Sequence, residues 1–141
     1  MRLGIVGSES AKFTPETEER ARERIRLEIK YMSTVVSGGC HLGGIDIWAK
    51  EEATKLGIHF IEFLPRRREW AGYRDRNVLI AKASDKVICL TVKELPPGYK
   101  VRGFEKFCYH CKTDEHIKSG GCWTVKFAKN LGKPGEVIVI C

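Results

Sequence analysis

The residue pattern with the most specific chemistry is a group of cysteines and histidines in the last third of the chain. The group reads Cys108-x2-Cys111-x4-His116-x5-Cys122. Three thiolates and one imidazole can close a tetrahedral, structural Zn²⁺ site. The spacing therefore predicts a zinc-binding loop over residues 99–122, with buried thiols that hold no metal as the alternative. His110 can replace Cys122 as a ligand, because Cys122 also lies at the start of a predicted helix, where its thiolate is favoured for another reason.

Three loops rich in glycine and serine come just before predicted helices. They contain Gly7-Ser8, Ser37-Gly38-Gly39 and Ser119-Gly120-Gly121. Bare backbone N–H groups and the positive end of a helix can approach a phosphate closely at such turns. None of the loops matches a P-loop or a G-x-G-x-x-G motif, so ATP hydrolysis and ordinary dinucleotide binding lack their signatures. Each loop alone also fits a tight turn, but three converging loops favour a phosphate pocket.

One carboxylate and one basic cluster complete the candidate site. Asp46 lies early in the second predicted helix, where it can bind a ribose hydroxyl, orient a loop amide or satisfy the helix N-terminus. Arg74, Arg76 and Asn77 lead into the next helix and suit a bidentate grip on phosphate or carboxylate, with a solvated basic turn as the alternative. The run Arg66–Arg68 fits a solvated turn or a nucleic-acid contact better than a catalytic role.

Composition fits one globular domain with a bias towards anionic partners. The chain has 141 residues, 43% of them hydrophobic, and a net charge of +7 from 25 Lys/Arg and 18 Asp/Glu. Such a composition excludes a disordered chain. No apolar run approaches the ~20 residues that span a bilayer, and no signal-peptide segment follows Met1. We therefore expect a cytoplasmic protein with reduced thiols, no membrane partner, and nucleotides or nucleic acid as possible ligands.

Strand-like and helix-like hydrophobic patterns alternate along the chain. The strands and helices that they predict must position these loops. Short apolar runs predict five strands, over Leu3–Val6, Ser33–Ser37, Ile58–Leu64, Val87–Val92 and Glu136–Cys141. Helical periodicity predicts the helices between them, the first capped by Thr14-Pro15 and the third running from Arg76 to about Ser84. This alternation predicts a three-layer α/β sandwich with about five parallel strands. Ligands of such sheets bind beyond the carboxyl ends of the strands.

Four of these motifs, taken in chain order, resemble one known superfamily. They are Gly7-Ser8, Val36-Ser37-Gly38-Gly39-x4-Gly44-Ile45-Asp46-x2-Ala49, Arg74-x-Arg76-Asn77 before Ala83-Ser84-Asp85, and Gly120-Gly121-x2-Thr124. Over nearly the whole chain they resemble the SLOG superfamily (the DprA/LOG group), especially its YspA-like and YpsA-related branch. The resemblance implies a Rossmann-like fold, frequent homodimers, and a pocket for nucleotides or nucleotide-derived ligands at the carboxyl ends of the strands.

The resemblance also bears on catalysis. Members that cleave the N-glycosidic bond of nucleoside monophosphates carry the loop Pro-Gly-Gly-x-Gly-Thr-x-x-Glu. Here Ser119, Trp123 and Phe127 replace its proline, its third glycine and its glutamate. Glycosyl transfer through an oxocarbenium-like transition state requires a carboxylate, so the loss of the glutamate favours ligand binding over hydrolysis.

Three functions are therefore expected from the sequence. The first is a nucleotide-binding module or sensor with a structural zinc ion, in which the ligand is held by Gly7, Ser8, Ser37, Gly38, Gly39, Arg74, Arg76, Asn77, Gly120, Gly121 and Thr124. The second is a phosphoribohydrolase-like or deoxyribosyltransferase-like enzyme, with Asp46 as its remaining catalytic carboxylate and Arg76 as a phosphate clamp. The third is single-stranded nucleic-acid binding through Arg66–Arg68, with bases stacked on Trp70, Tyr73 or Tyr109.

Overall fold

The computed structural model describes residues 1–99 and 106–141, and these residues form one parallel β-sheet flanked by helices. In this described part the elements are β1 (Arg2–Gly7), α1 (Pro15–Ile29), β2 (Thr34–Gly38), α2 (Ile45–Lys55), β3 (His59–Phe63), α3 (Trp70–Ala83), β4 (Lys86–Val92), α4 (Gly121–Asn130) and β5 (Gly135–Ile140), with a short 3-10 helix at Ser10–Lys12. The strand order is β3-β2-β1-β4-β5, and all neighbours are parallel. The structure confirms the Rossmann-like α/β sandwich.

Alternate residues of the strands build a separate core on each face of the sheet. Leu3 and Ile5 of β1 belong to the core shared with α1 and α2, whereas Val6 belongs to the core shared with α3 and α4. The sheet grows from β1 first towards β3 and then, after α3, towards β5. The direction of growth thus reverses between β1 and β4, and such a reversal opens a crevice at the carboxyl ends of the two strands.

Helix α1 begins where the sequence predicts it. The side-chain oxygen of Thr14 accepts a hydrogen bond from the backbone N–H of Thr17 at 3.1 Å, and the backbone N–H of Thr14 donates to the Thr17 hydroxyl at 2.8 Å. Pro15 occupies the first helical position, where its missing N–H costs nothing. None of the helices in residues 1–99 and 106–141 is long and apolar enough to cross a membrane.

Helix α3 begins six residues earlier than predicted, at Trp70 instead of Arg76. The first buried positions of this helix are Gly72, Arg76 and Asn77. They follow helical spacing but offer no apolar side chain, so hydrophobic periodicity does not reveal the first two turns. Arg74, Arg76 and Asn77 therefore lie inside the helix, and the expectation that they lead into it is wrong.

A buried glutamate joins α1 to α2 and so holds the helix that carries Asp46. The Glu52 side chain is 1% exposed and accepts hydrogen bonds from Arg22 at 2.9 Å, Arg26 at 2.8 Å and Lys55 at 3.2 Å. Burial acts to raise the pKa of Glu52, but the hydrogen bonds from Arg26, Lys55 and Arg22 together outweigh burial and hold this pKa below its ordinary value.

Replacing Glu52 with glutamine should lower the free energy of unfolding by about 2 kcal/mol at neutral pH, because three cations lose a buried partner. The folded-state pKa of Glu52 lies below the ordinary 4.5, so its stabilisation is complete above that value and disappears as the pH falls through the folded-state pKa. Urea unfolding at pH 7 and pH 3 measures both effects. Glu51→Gln is the matched control, because the Glu51 side chain is 48% exposed and pairs only with Arg22 among the described ion pairs. Equal losses in the two variants would contradict the assignment.

Candidate functional site

A pocket of about 360 Å³ lies at the carboxyl end of the sheet, beside the crevice between β1 and β4. Several parts of the chain meet there: the loop after β1, the loop after β2 with the first turn of α2, the first two turns of α3, the Cys/His segment, and the start of α4. The lining residues are Val6, Gly7, Ser8, Glu9, Lys12, Cys40, His41, Leu42, Asp46, Trp70, Tyr73, Arg76, Asn77, Tyr109, His110, Lys118, Ser119, Gly120 and Gly121.

Asp46 reaches this pocket because α2 starts directly against the loop after β1. Gly44 precedes the helix with φ +94°, and a Cβ at this position would lie 2.4 Å from the carbonyl oxygen of Ser8. Only glycine tolerates this conformation and this contact. The backbone N–H of Ile45 donates to the same carbonyl oxygen at 3.1 Å. Gly44 and Ile45 therefore fix the start of α2 against the loop after β1, and this placement brings the carboxyl group of Asp46 into the pocket.

Asp46 and Arg76 form a loosely joined buried pair. Asp46 is 5% exposed and Arg76 is 9% exposed, and the distance from Asp46 Oδ2 to Arg76 Nη1 is 3.9 Å. The Nε–H of Arg76 donates to the Asn77 side-chain oxygen at 2.8 Å. Asp46 Oδ1 and Arg76 Nη1 are both buried without a hydrogen-bond partner in the described part of the chain. Each such atom costs about 1–3 kcal/mol, so this arrangement lowers the stability of the folded state.

Burial also changes the protonation of Asp46. Removal from water, the largest effect, raises the pKa of Asp46 to about 7, although the Arg76 charge acts to lower it. Near neutral pH the group therefore exists both as an acceptor-only carboxylate and as a carboxylic acid that can donate a hydrogen bond.

The three glycine-rich loops take different roles. Gly7 and Ser8 line the pocket, and the Ser8 hydroxyl lies 2.9 Å from the Thr91 hydroxyl of β4. Gly120 and Gly121 line it from the start of α4, where the Gly121 N–H donates to the Ser119 hydroxyl at 3.1 Å. The first and third loops therefore meet around one cavity.

The second loop supports the pocket from beneath. The Ser37 hydroxyl is buried and donates to the Ile5 carbonyl oxygen at 2.5 Å. A Cβ at Gly38 would lie 2.1 Å from Arg76 Nη1, so the absence of a side chain makes room for the guanidinium group, while Gly39 lies against Leu64. Ser37, Gly38 and Gly39 are not among the residues that line the cavity.

Two further candidates lie away from the cavity wall. Arg74 points its half-exposed side chain towards Asp75, with 3.7 Å between Nη2 and Oδ1. Thr124 is fully buried, and its hydroxyl has no partner among residues 1–99 and 106–141. Neither residue lines the pocket, whereas Asn77 both lines it and orients Arg76.

The structure brings Cys108, Cys111, His116 and Cys122 together. Their ligand atoms all lie within 4.8 Å of one another, so this Cys3His cluster can hold a metal ion. A short antiparallel bridge closes the first turn, with the Cys108 N–H donating to the Thr113 carbonyl oxygen at 2.9 Å and the reverse bond at 3.2 Å. His110 does not join the cluster and instead lines the pocket. Residues 100–105 of the predicted zinc loop lie outside the described residues.

The thiols of this cluster disfavour ionisation in one another's presence. Burial, together with the neighbouring Cys122 and Cys108, raises the pKa of Cys111 to about 12. The pKa of Cys122 is also raised, first by its interaction with Cys89, whose sulfur lies 4.0 Å away, and then by burial. A bound cation reverses this effect, because metal ligation deprotonates thiols outright.

Several pocket residues are absent from the sequence-based site. Cys40, His41 and Leu42 follow directly after the second glycine pair, and their position beyond a strand end is a signal that could have identified them. Nothing in the sequence marks Lys12 and Lys118 as pocket residues, because they come together only in the folded chain. There Lys12 Nζ donates to the Lys118 carbonyl oxygen at 3.1 Å.

Comparison with known proteins identifies the architecture. No protein-family model matches the sequence, and no curated protein matches it significantly. The molybdenum cofactor carrier protein of Chlamydomonas reinhardtii matches with a TM-score of 0.62 and 17% identity, over 96% of this chain and 74% of the carrier. DNA processing protein A (DprA) from Streptococcus pneumoniae matches with a TM-score of 0.62 and 16% identity, over 96% of this chain and 49% of DprA.

This chain has the fold of these two proteins. It spans about half the length of DprA. The match to DprA supports the predicted resemblance to the DprA group at the level of the fold. The YspA-like and YpsA-related branch, homodimerization and a cytoplasmic location stay predictions.

Replacing Asp46 with asparagine should stabilise the protein above neutral pH. The pKa of Asp46 is 3.8 ordinarily and about 7 in the folded state, so between these values folding retains a proton and stability falls as the pH rises. Asparagine cannot ionise, and we expect Asp46→Asn to exceed the wild type at pH 8 by on the order of 4 kcal/mol and to match it below pH 4. Urea unfolding across this range is the measurement. The exposed Asp75→Asn is the control, and an Asp46 variant with no pH-dependent gain would refute the assignment.

Proposed function

We propose that the protein binds a phosphate-bearing nucleotide or nucleotide-derived ligand at the carboxyl end of its sheet, as a binding module or sensor. The observation that carries this proposal is the buried Asp46–Arg76 pair, in which Asp46 Oδ1 and Arg76 Nη1 lack partners among the described residues. An anionic oxygen of the ligand satisfies the guanidinium group, and a ligand hydroxyl satisfies the Asp46 oxygen.

The rest of the cavity suits a phosphate group. Gly120 and Gly121 lie at the positive end of α4, and Gly7 and Ser8 face the same space from the loop after β1. Lys12 and Lys118 add positive charge to the wall. The positive end of the α4 dipole and the nearby lysine charges favour a bound anion.

The two structural neighbours are compatible with this proposal. One is a carrier of the molybdenum cofactor and the other processes DNA. Ligand or nucleic-acid binding is therefore associated with this fold in both, although the low identity leaves the ligand of this chain to be determined from its own residues.

Replacing Arg76 with alanine should weaken nucleotide binding at least about tenfold, because a charge-assisted hydrogen bond is lost. Isothermal titration of AMP, GMP, CMP and UMP against the purified protein measures this change, and circular dichroism checks that the domain stays folded. Arg74→Ala is the matched control, since its half-exposed side chain lies outside the pocket on the same helix. Equal affinities in wild type and Arg76→Ala would remove Arg76 from the site.

A nucleotide N-glycosidic-bond hydrolase or transferase is the second candidate function. The observation that favours it is the pKa of Asp46, which lies near 7 and suits a general acid or base. Phe127, at the position of the family glutamate, stacks on Trp123 with ring centroids 5.3 Å apart and supplies no carboxylate. Chromatography of nucleotides incubated with the protein distinguishes the candidates, because turnover releases the free base and binding alone does not. Single-stranded nucleic acid as the ligand would instead show a steep loss of affinity with salt.

We also propose that Cys108, Cys111, His116 and Cys122 hold a structural zinc ion. Three sulfur donors and one nitrogen donor form a set that zinc prefers, and four protein ligands leave no open coordination position. The ion would tie the turn at Cys108–Cys111 to Cys122 in the first turn of α4, next to the glycines of the pocket.

Replacing Cys111 with serine should abolish stoichiometric zinc binding and lower the melting temperature, because metal binding contributes directly to folding. Cys111 is exposed, so the substitution leaves no buried cavity. Metal analysis of the purified protein and thermal unfolding are the measurements. Cys141→Ser is the matched control, since Cys141 is an exposed thiol outside the cluster. One zinc ion per chain in both variants would disprove the ligand assignment.

A further inference from the structure

The turn between the first two cysteines of the metal cluster presents aromatic rings to the pocket. Tyr109 and His110 lie between Cys108 and Cys111, and both line the cavity together with Trp70 of α3. The ring centroids of Tyr109 and His110 are 4.3 Å apart, and those of His110 and Trp70 are 6.4 Å apart with the planes inclined by 30°. These rings form a continuous aromatic wall at one side of the pocket.

We propose that this wall, made of Trp70, Tyr109 and His110, is a nucleobase subsite. The ligand class is then a nucleotide whose base stacks on Trp70 and whose edge forms a hydrogen bond with His110 Nε2. This inference rests on the proposed function, because the Asp46–Arg76 side of the pocket must hold the sugar and phosphate of the same ligand.

Trp70 has the environment of a stacking platform. Its side chain is 47% exposed although it lines a pocket. Trp123 contacts it in a T-shaped arrangement, with a centroid distance of 5.9 Å and the planes at 87°, and Trp123 in turn stacks on Phe127. Other rings thus hold the indole in place while part of it stays open to the cavity, which is the arrangement on which bases stack.

His110 supplies an unpaired polar atom beside this platform. Its Nε2 is buried and has no hydrogen-bond partner within the described ranges of the chain. The backbone at this position is anchored, because the carbonyl oxygen of His110 accepts a hydrogen bond from Lys126 Nζ at 3.2 Å. A buried ring nitrogen without a partner is costly, and the polar edge of a base satisfies it.

The character of the wall favours a base over a second sugar or phosphate. Sugar hydroxyls require several hydrogen-bonding groups, whereas this side of the cavity presents three rings, one unpaired ring nitrogen and the Lys118 ammonium, which lies 5.1 Å from the centroid of the Tyr109 ring. The Asp46–Arg76 side of the pocket, which Arg76 reaches from the same helix as Trp70, presents a carboxyl and a guanidinium group. A ligand with one flat aromatic end and one polar, anionic end matches both sides.

The test compares nucleoside monophosphates with ribose 5-phosphate, which has the same sugar and phosphate but no base. We expect the wild-type protein to bind at least one of AMP, GMP, CMP and UMP about tenfold or more tightly than ribose 5-phosphate in isothermal titration. Trp70→Ala and His110→Ala should each lose about tenfold in affinity for that nucleotide and keep their affinity for ribose 5-phosphate within about twofold.

Three controls keep the result interpretable. Trp70→Phe retains a stacking ring and should recover most of the affinity. Phe107→Ala removes another ring that is 47% exposed, adjacent to the same turn but outside the pocket, and should bind like the wild type. Metal content and melting temperature of His110→Ala should equal those of the wild type, because His110 lies outside the ligand set.

The outcomes separate this inference from the proposed function. Equal wild-type affinity for ribose 5-phosphate and for all four nucleotides overturns the base subsite and leaves the phosphate pocket standing. Equal loss of both ligands in Trp70→Ala and His110→Ala also overturns it, because the wall then only supports the fold. Failure of the wild type to bind any of these ligands overturns both proposals.

Discussion

The buried pair of Asp46 and Arg76 is the interaction around which the carboxyl end of the sheet is arranged. Asp46 comes from α2 on one face of the sheet and Arg76 from α3 on the other. The guanidinium group passes over Gly38 at the end of β2, where any side chain would collide with it. Residues from two separate helices thereby line one cavity. They can approach each other because Gly38, at the end of β2, has no side chain.

This arrangement is costly for the folded state, and the proposed ligand would offset that cost. The pair is separated by 3.9 Å, and one atom of each partner is left without a hydrogen bond in the described part of the chain. The surrounding structure must therefore hold both groups in place, as the fully satisfied Glu52 network does for α2 and as Asn77 does for Arg76. Unpaired buried polar atoms of this kind persist only where a well-packed scaffold holds them in place.

The Cys/His segment forms another part of the pocket wall at the same edge of the sheet. The described part of this segment has little regular secondary structure, yet it contributes Tyr109, His110 and the residues before α4 to the pocket wall. The buried Cys108 and Cys122 sulfurs pack into the core beneath α3 and α4. A metal ion held by the cluster would give this short segment the rigidity that a hydrophobic core gives to larger elements, and would thereby link metal binding to the shape of the pocket.

The sequence by itself determined the features whose signals are local. Alternating strand and helix periodicity, the cap at Thr14 and the spacing of the cysteines and histidines all act over a few residues, so the fold and the composition of the Cys3His cluster were predictable. Only the tertiary structure decided the early start of α3, the partnership of Asp46 with Arg76, the supporting role of Gly38, and the turning of His110 towards the pocket instead of the metal cluster. The physical reason is that these features depend on contacts across the sheet between residues distant in the chain, where polar and glycine positions carry no hydrophobic period.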